Sequence, residues 1–280
     1  MRIISKPAIV EAVVKMCRQA ACCLPEDVAK ALQSAKERET DPMACSILGL
    51  LSENQDLARR EMVPICQDTG VAVYFVELGT DVRIDGDIYE ILAEATERGY
   101  KEGYLRLSVA RDPLFDRANS GTNGPPVVHL RLVPGDALRI TLAPKGGGSE
   151  NMSALAMLKP LAGKAGITNF VVETVKKAGG NPCPPLVIGV GLGGNFETAP
   201  YLAKKALLRE VGSKHKDPRY DEYEAELLEA VNATGVGPQG LGGRTTALAV
   251  HIETYPCHIA SLPVAVNLNC HAARHAMVEL

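Results

Sequence analysis

The chain has 280 residues, 46% of them hydrophobic and 22% charged, with 26 Gly, 18 Pro and no Trp, which is ample material for one large core or two lobes. A formal net charge of −3 supplies no basic field, so nucleic acid and anionic membrane surfaces are excluded as expected partners. No uninterrupted apolar run reaches the length of a membrane span, and Glu11, Lys15 and Arg18 interrupt the first apolar pattern. A signal peptide is therefore excluded and a cytoplasmic protein expected.

Residues 1–62 read as helices throughout. Ile9, Val13, Cys17 and Ala20 recur at helical spacing, Pro25-Glu26-Asp27 marks a helix start, and Asp41-Pro42 marks a break. Residues 71–76 read as a buried strand and 87–99 as a helix. The stretch 111–126, rich in Asn, Gly, Ser and Pro, is too long for a plain connector and is expected to line a site. Residues 127–132 and 137–142 alternate about Pro134-Gly135 and read as a hairpin. The second of these strands runs into Lys145-Gly146-Gly147-Gly148-Ser149-Glu150-Asn151. Residues 166–178 form a helix that stops at Gly179-Gly180. A strand over 186–190, helices near 197–209 and 221–232, and a strand-like stretch over 245–268 complete the chain. This interleaving predicts an α/β fold of the mixed α+β kind. A helical N-terminal region packs on mixed β-sheet lobes, with the site between them. The whole of 1–280 is taken as one domain, divisible into lobes 1–126 and 127–280.

Eight cysteines without a secretory signal read as reduced thiols. No Cys-x-x-Cys occurs, which argues against zinc ribbons, thioredoxin chemistry and ferredoxin-type ligation. Cys17, Cys22, Cys23 and Cys45 lie in helical patterns and read as packing residues, whereas Cys257 reads either way. Cys66, Cys183 and Cys270 differ: each sits in a turn-rich segment, more than eighty residues from the next. Three soft thiolates presented from loops suit an iron–sulfur cluster with one iron left without a protein ligand. An open metal position is where Lewis-acid chemistry occurs, so the pattern points to an enzyme and not to an electron carrier.

Other candidates carry a plain reading beside a functional one. Gly146-Gly147-Gly148 at a strand end is either a tight turn or a set of unhindered N–H donors for an anion. Gly189-Val190-Gly191-Leu192-Gly193-Gly194 fits G-x-G-x-x-G between a strand and a helix and supports a rival, a dinucleotide-binding module. No earlier βα repeat precedes it. Gln67-Asp68 sets an amide and a carboxylate beside Cys66, although Asp68 alone would read as a cap. Arg106 stands alone in the apolar run Tyr104-Leu105-Arg106-Leu107, where an arginine commonly reaches a carboxylate. His258, His271 and His275 lie near Cys270 in sequence and are structural or catalytic.

Taken together, Pro-Ile-Cys-Gln-Asp-Thr-Gly, Lys-Gly-Gly-Gly-Ser-Glu-Asn, Cys-Pro-Pro, Gly-Val-Gly-Leu-Gly-Gly, Ser-Leu-Pro-Val-Ala-Val-Asn and the final Cys-His-Ala-Ala-Arg-His resemble the iron–sulfur-dependent class I fumarase family. The chain is similar to the alpha subunit of its two-subunit members, which include L-tartrate dehydratase. The resemblance implies reversible hydration of a dicarboxylate at a [4Fe-4S] cluster held by Cys66, Cys183 and Cys270. It implies substrate contacts from Gln67, Asp68, Arg106 and Gly147, with Asp68 and His258 in the catalytic set. The chain stops ten residues after Cys270, so a separate beta subunit carrying the general base is expected, together with an alpha–alpha dimer. Fumarate is the expected substrate. A tartrate dehydratase alpha subunit, the dinucleotide module and a zinc-binding structural protein are the alternatives.

Overall fold

The computed structural model describes residues 2–280, which divide into two compact units, each interrupted in sequence. The first unit comprises the chain through Pro25, then Gln55–Gly147 and Arg274–Leu280; the second comprises Glu26–Asn54 and Gly148–Ala273.

In the first unit, α1 (Lys6–Cys22) buries Ile9, Val13, Met16, Cys17 and Ala20, the stripe expected of an amphipathic helix. A second helix, α4 (Ile88–Glu102), starts where the Asp87 carboxylate accepts from Tyr89 N. The two helices pack on each other, and α1 also rests on β5 (Leu138–Lys145) and β10 (Ala276–Glu279). The expectation of helix throughout 1–62 misses β1 (Arg2–Ile4), which pairs in parallel with β3 (Val82–Ile84). Three residues are too short to show a period.

The main sheet of this unit has the order β10-β5-β2-β4, where β2 is Val71–Gly79 and β4 is Val127–Val133. The expected hairpin between β4 and β5 is therefore not formed. Instead β2 lies between them, parallel to β4 and antiparallel to β5. The reason is burial: β2 is largely sealed from solvent, whereas β4 is mostly exposed, so the apolar strand takes the centre and β4 an edge. The Pro134-Gly135 turn passes over the end of β2, with Gly79 N donating to Ala137 O, Thr80 N to Val133 O and Asp81 N to Gly135 O, each at 2.9 Å.

The second unit contains α2 (Glu26–Arg38) and the first part of α3 (Pro42–Glu61). Beyond Gly147 the chain winds a single turn, α5 (Gly147–Glu150). The sheet has the order β6-β9-β7-β8, from β6 (Ala154–Leu158), β7 (Leu186–Gly193), β8 (Ala247–Tyr255) and β9 (Leu262–Asn269). The strand-like stretch 245–268 is thus two strands, on either side of β7. The helices α6 (Gly163–Ala178) and α8 (Pro218–Asn232) contribute Val171, Val175, Tyr223 and Leu227 to the core with the sheet. A third helix, α7 (Thr198–Ala206), packs Ala199 and Ala203 against Ala265 of β9.

Gly189 and Gly191 of β7 are explained by α7. A Cβ at Gly189 would stand 1.9 Å from Ala203 O, and one at Gly191 2.1 Å from Ala199 O. The helix backbone thus occupies the space that side chains would need, within a strand buried along its whole length. This overturns the dinucleotide reading: the first two glycines of G-x-G-x-x-G, Gly189 and Gly191, lie in a buried strand and serve close packing, whereas a phosphate site needs the glycine loop open at a helix N-terminus.

Both sheets build the same local pattern. A buried strand (β2 or β7) gains a parallel neighbour (β4 or β8), then an antiparallel one on its other side (β5 or β9). Cys66 lies in the segment entering β2, Cys183 lies just before β7, and Cys270 follows β9 directly. No helix among the described residues is long and apolar enough to cross a membrane.

Candidate functional site

The Cys66 loop in the first unit is held from several sides. Ile65 N donates to Ala21 O at 3.0 Å. Thr69 Oγ1 donates to Arg106 O at 3.0 Å, fixing the main chain of Arg106 beside the loop while its side chain stays exposed. Tyr100 OH lies 3.2 Å from Thr69 O and 3.1 Å from Gly70 O. Asn123, fully buried with φ +55°, donates through Nδ2 to Gly70 O (3.1 Å) and accepts through Oδ1 from Ser108 N (2.6 Å). The stretch 111–126 therefore reaches this loop through Asn123. Gly70 has φ +80°, and a Cβ there would stand 2.8 Å from the Lys145 backbone, so this crossing admits no side chain.

Within the loop, Cys66 is half-buried; its Sγ donates to Gln67 Oε1 (3.5 Å) and accepts from Asp68 N (3.4 Å). The Asp68 carboxylate accepts from Gly70 N at 3.0 Å and from Gly147 N at 2.8 Å. The Gly147 amide expected to face a substrate carboxylate thus holds the protein's own carboxylate. Arg274, 3% exposed, donates through Nη2 to Asp68 O.

In the second unit, Cys183 adopts φ +55°, a left-handed conformation that costs a non-glycine residue about 1–3 kcal/mol and gathers at functional sites. Its N donates to Gly180 O (3.0 Å), and its carbonyl accepts from His271 N (3.2 Å), with His271 Nδ1 3.1 Å away. His271 therefore ties the Cys183 loop to the residue that follows Cys270. Gln239 braces the same loop, donating from both N and Nε2 to Pro184 O at 2.9 Å. Gly148 completes these surroundings; a Cβ there would meet Asn181 O at 3.4 Å.

His258 is placed elsewhere in this unit. It is exposed on the connection from β8 to β9, where its Nδ1 accepts from Ala260 N (3.1 Å) and its carbonyl accepts from Ser261 N (2.9 Å). The eight residues of β9 separate it from Cys270, roughly 25 Å along an extended strand. One chain therefore does not bring His258 to Cys270. Cys257 lies on the same connection, exposed, with Sγ donating to Ser261 O. Cys17 and Cys22 are buried packing residues, and burial pushes the Cys17 thiol up to about 12.

Tyr100, Asn123, Gln239 and Arg274 were not singled out from the sequence. Arg274 lies in the recognisable final motif. Asn123 lies in the turn-rich stretch that drew attention as a whole, but Gln239 carries no local signal.

Among the described residues, no three His, Cys, Asp or Glu side chains are grouped so as to hold a metal ion. A cluster makes a different demand, because each thiolate ligates a separate iron. Three half-buried thiols on loops, one already accepting a backbone N–H, have the donor chemistry that a cluster requires.

The profile of the family described as Fumarate hydratase (Fumerase) matches residues 10–279. A provisionally named L(+)-tartrate dehydratase subunit alpha of Methanocaldococcus jannaschii is 43% identical over 277 residues, covering 97% of each chain. The L(+)-tartrate dehydratase subunit alpha of Escherichia coli (strain UTI89) is 35% identical over 261 residues, covering 92% of this chain and 86% of that one. Its counterpart in Escherichia coli O157:H7 is 36% identical over 255 residues, covering 90% and 84%. Matched almost end to end, through every loop that carries a site motif, the chain belongs to the fumarase family of hydro-lyases.

Proposed function

We propose that this chain is the alpha subunit of a [4Fe-4S]-dependent hydro-lyase that interconverts fumarate and L-malate. Cys66, Cys183 and Cys270 would hold the cluster. The observation that carries the reading is the bracing of Cys183 in a left-handed conformation by His271, the neighbour of Cys270, within a chain of the fumarase family. When bound, the cluster supplies Lewis acidity toward the substrate hydroxyl and one carboxylate at the iron lacking a protein ligand.

The chain's own residues then have separable tasks. Arg106, with an exposed guanidinium on a main chain tied to Thr69, pairs with a substrate carboxylate, and Gln67 adds a polar contact beside Cys66. The second carboxylate takes the Gly147 N–H that Asp68 now occupies, exchanging one anion for another on the same donor. Asp68, released, is then free to hold a proton at its Oδ2 during water addition or loss.

The relatives are named as alpha subunits and are matched over 84–97% of their lengths; on this ground the complex contains a beta chain, which supplies the general base. Because β9 holds His258 away from Cys270 of its own chain, a catalytic His258 serves a second alpha chain in an alpha–alpha dimer. L-tartrate is the second reading of the substrate, favoured by the names of those relatives.

The test is an anaerobic assay of the complex with its partner chain on fumarate, L-malate and L-tartrate. Preference for the fumarate–malate pair supports the proposal, and a large preference for tartrate replaces it with the second reading. A complex with a full complement of iron that turns over none of the three dicarboxylates, by adding or by removing water, sinks both. Mixing His258→Asn chains with Cys66→Ser chains should recover activity that neither has alone; no recovery refutes the shared site.

A further inference from the structure

We propose that Arg274 is a positioning residue that presets Asp68 beside Cys66. Its guanidinium is charged at any working pH, yet the residue is 3% exposed. A buried arginine ordinarily meets a carboxylate. Here Nη2 donates to the main-chain carbonyl of Asp68, while Nε and Nη1 are buried without a hydrogen-bond partner among the described residues. Such donors call for a specific explanation in a native structure.

The explanation lies in what the gripped residue does. The amide of Asp68 donates to Cys66 Sγ (3.4 Å), and its carboxylate accepts from Gly70 N (3.0 Å) and Gly147 N (2.8 Å). The orientation of this one residue thus sets a contact to the sulfur and the place of a carboxylate together. The other braces act further along: Tyr100 and Asn123 hold the carbonyls of Thr69 and Gly70. Without Arg274 the loop would stay closed at Thr69 and Gly70 while the Asp68–Thr69 peptide became free to rotate. The two unpartnered nitrogens keep beside Asp68 a positive charge that no carboxylate among the described residues pairs with, and this suits an anionic occupant of the loop.

The role in catalysis rests on the hydro-lyase reading; the positioning of Asp68 does not. The test compares Arg274→Met and Arg274→Lys with the parent. In the metal-free chain, Arg274→Met should speed amide exchange at Gly70 and Gly147, whose N–H groups Asp68 holds, by about tenfold while β2 amides stay unchanged. In the loaded complex it should lower kcat about 10–100-fold with KM unchanged. Arg274→Lys retains a donor and the charge, and should recover most of both effects. Unchanged exchange at Gly70 and Gly147 overturns the proposal, as does acceleration spread equally through β2 and β5, which would make Arg274 a packing residue. Faster exchange in a chain whose parent complex neither adds water to nor removes it from any dicarboxylate removes the hydro-lyase reading and leaves the positioning role standing.

Discussion

His251 is buried on β8, where desolvation and the nearby Arg209 charge hold its imidazole down to about 4, against weaker upward pulls from the Ala206 carbonyl and Asp27. Arg209 is itself paired with Glu224, which also accepts from Ile252 N. In the unfolded chain this histidine titrates near ~6.5, so the unfolded state binds more protons between the two values. The resulting stability is complete above ~6.5, falls progressively as pH drops through the window between the two values, and is fully lost below about 4. Urea unfolding should therefore show a loss of about 2 kcal/mol between pH 7 and 5 from this residue. The His251→Gln chain should have a flatter profile; the same loss in that variant would remove His251 as the cause. Nothing in Val250-His251-Ile252 announces this role. It follows from β8 crossing the core, just as the left-handed Cys183 is invisible in a Pro-Cys-Pro string that contains no glycine. By contrast Cys17 was legible as a packing residue, because helical spacing alone puts it on the buried stripe of α1.

Helices were largely legible for a local reason: stripes, caps and stop signals lie within a few residues of what they control. The α4 cap at Asp87 and the end of α6 at Gly179 are examples. Strand partners were not legible, because pairing is decided between distant segments competing for burial. The turn after β4 was read correctly as a reversal, yet β2, from fifty residues upstream, takes the centre between the two strands. The glycine pattern in β7 shows the same limit, since only the helix lying on the strand reveals its purpose. Gly191→Ala tests that account. Its new methyl would meet Ala199 O, a backbone atom that cannot swing aside, so α7 must lift from the sheet. The expected cost is about 1–3 kcal/mol, read as a lowered urea midpoint. An unchanged midpoint would mean that α7 does not rest on β7 as described.

Across the whole molecule, the two sheets repeat one topology without a visible sequence repeat, and each unit is assembled from separate stretches of chain. A linear reading in consecutive lobes has no access to such a division. The loop motifs were legible because each is written out locally: Cys66 with Gln67 and Asp68, the glycines before Ser149, and Cys270 with His271, the residues proposed to hold and brace the cluster. Their supports Tyr100 and Gln239 come from elsewhere in the chain and carry no local signal for that reason.

The central claim is that Cys66, Cys183 and Cys270, and no other cysteines, hold the cluster. Its most direct test is anaerobic reconstitution of the full chain and of each of the eight Cys→Ser variants with iron and sulfide, followed by metal analysis and thiolate-to-iron absorbance. The expected result is about four irons per chain in the parent and in the variants at Cys17, Cys22, Cys23, Cys45 and Cys257, and loss of the cluster at Cys66, Cys183 and Cys270. A full cluster in any of those last three variants, or its loss on changing Cys45 or Cys257, would contradict it.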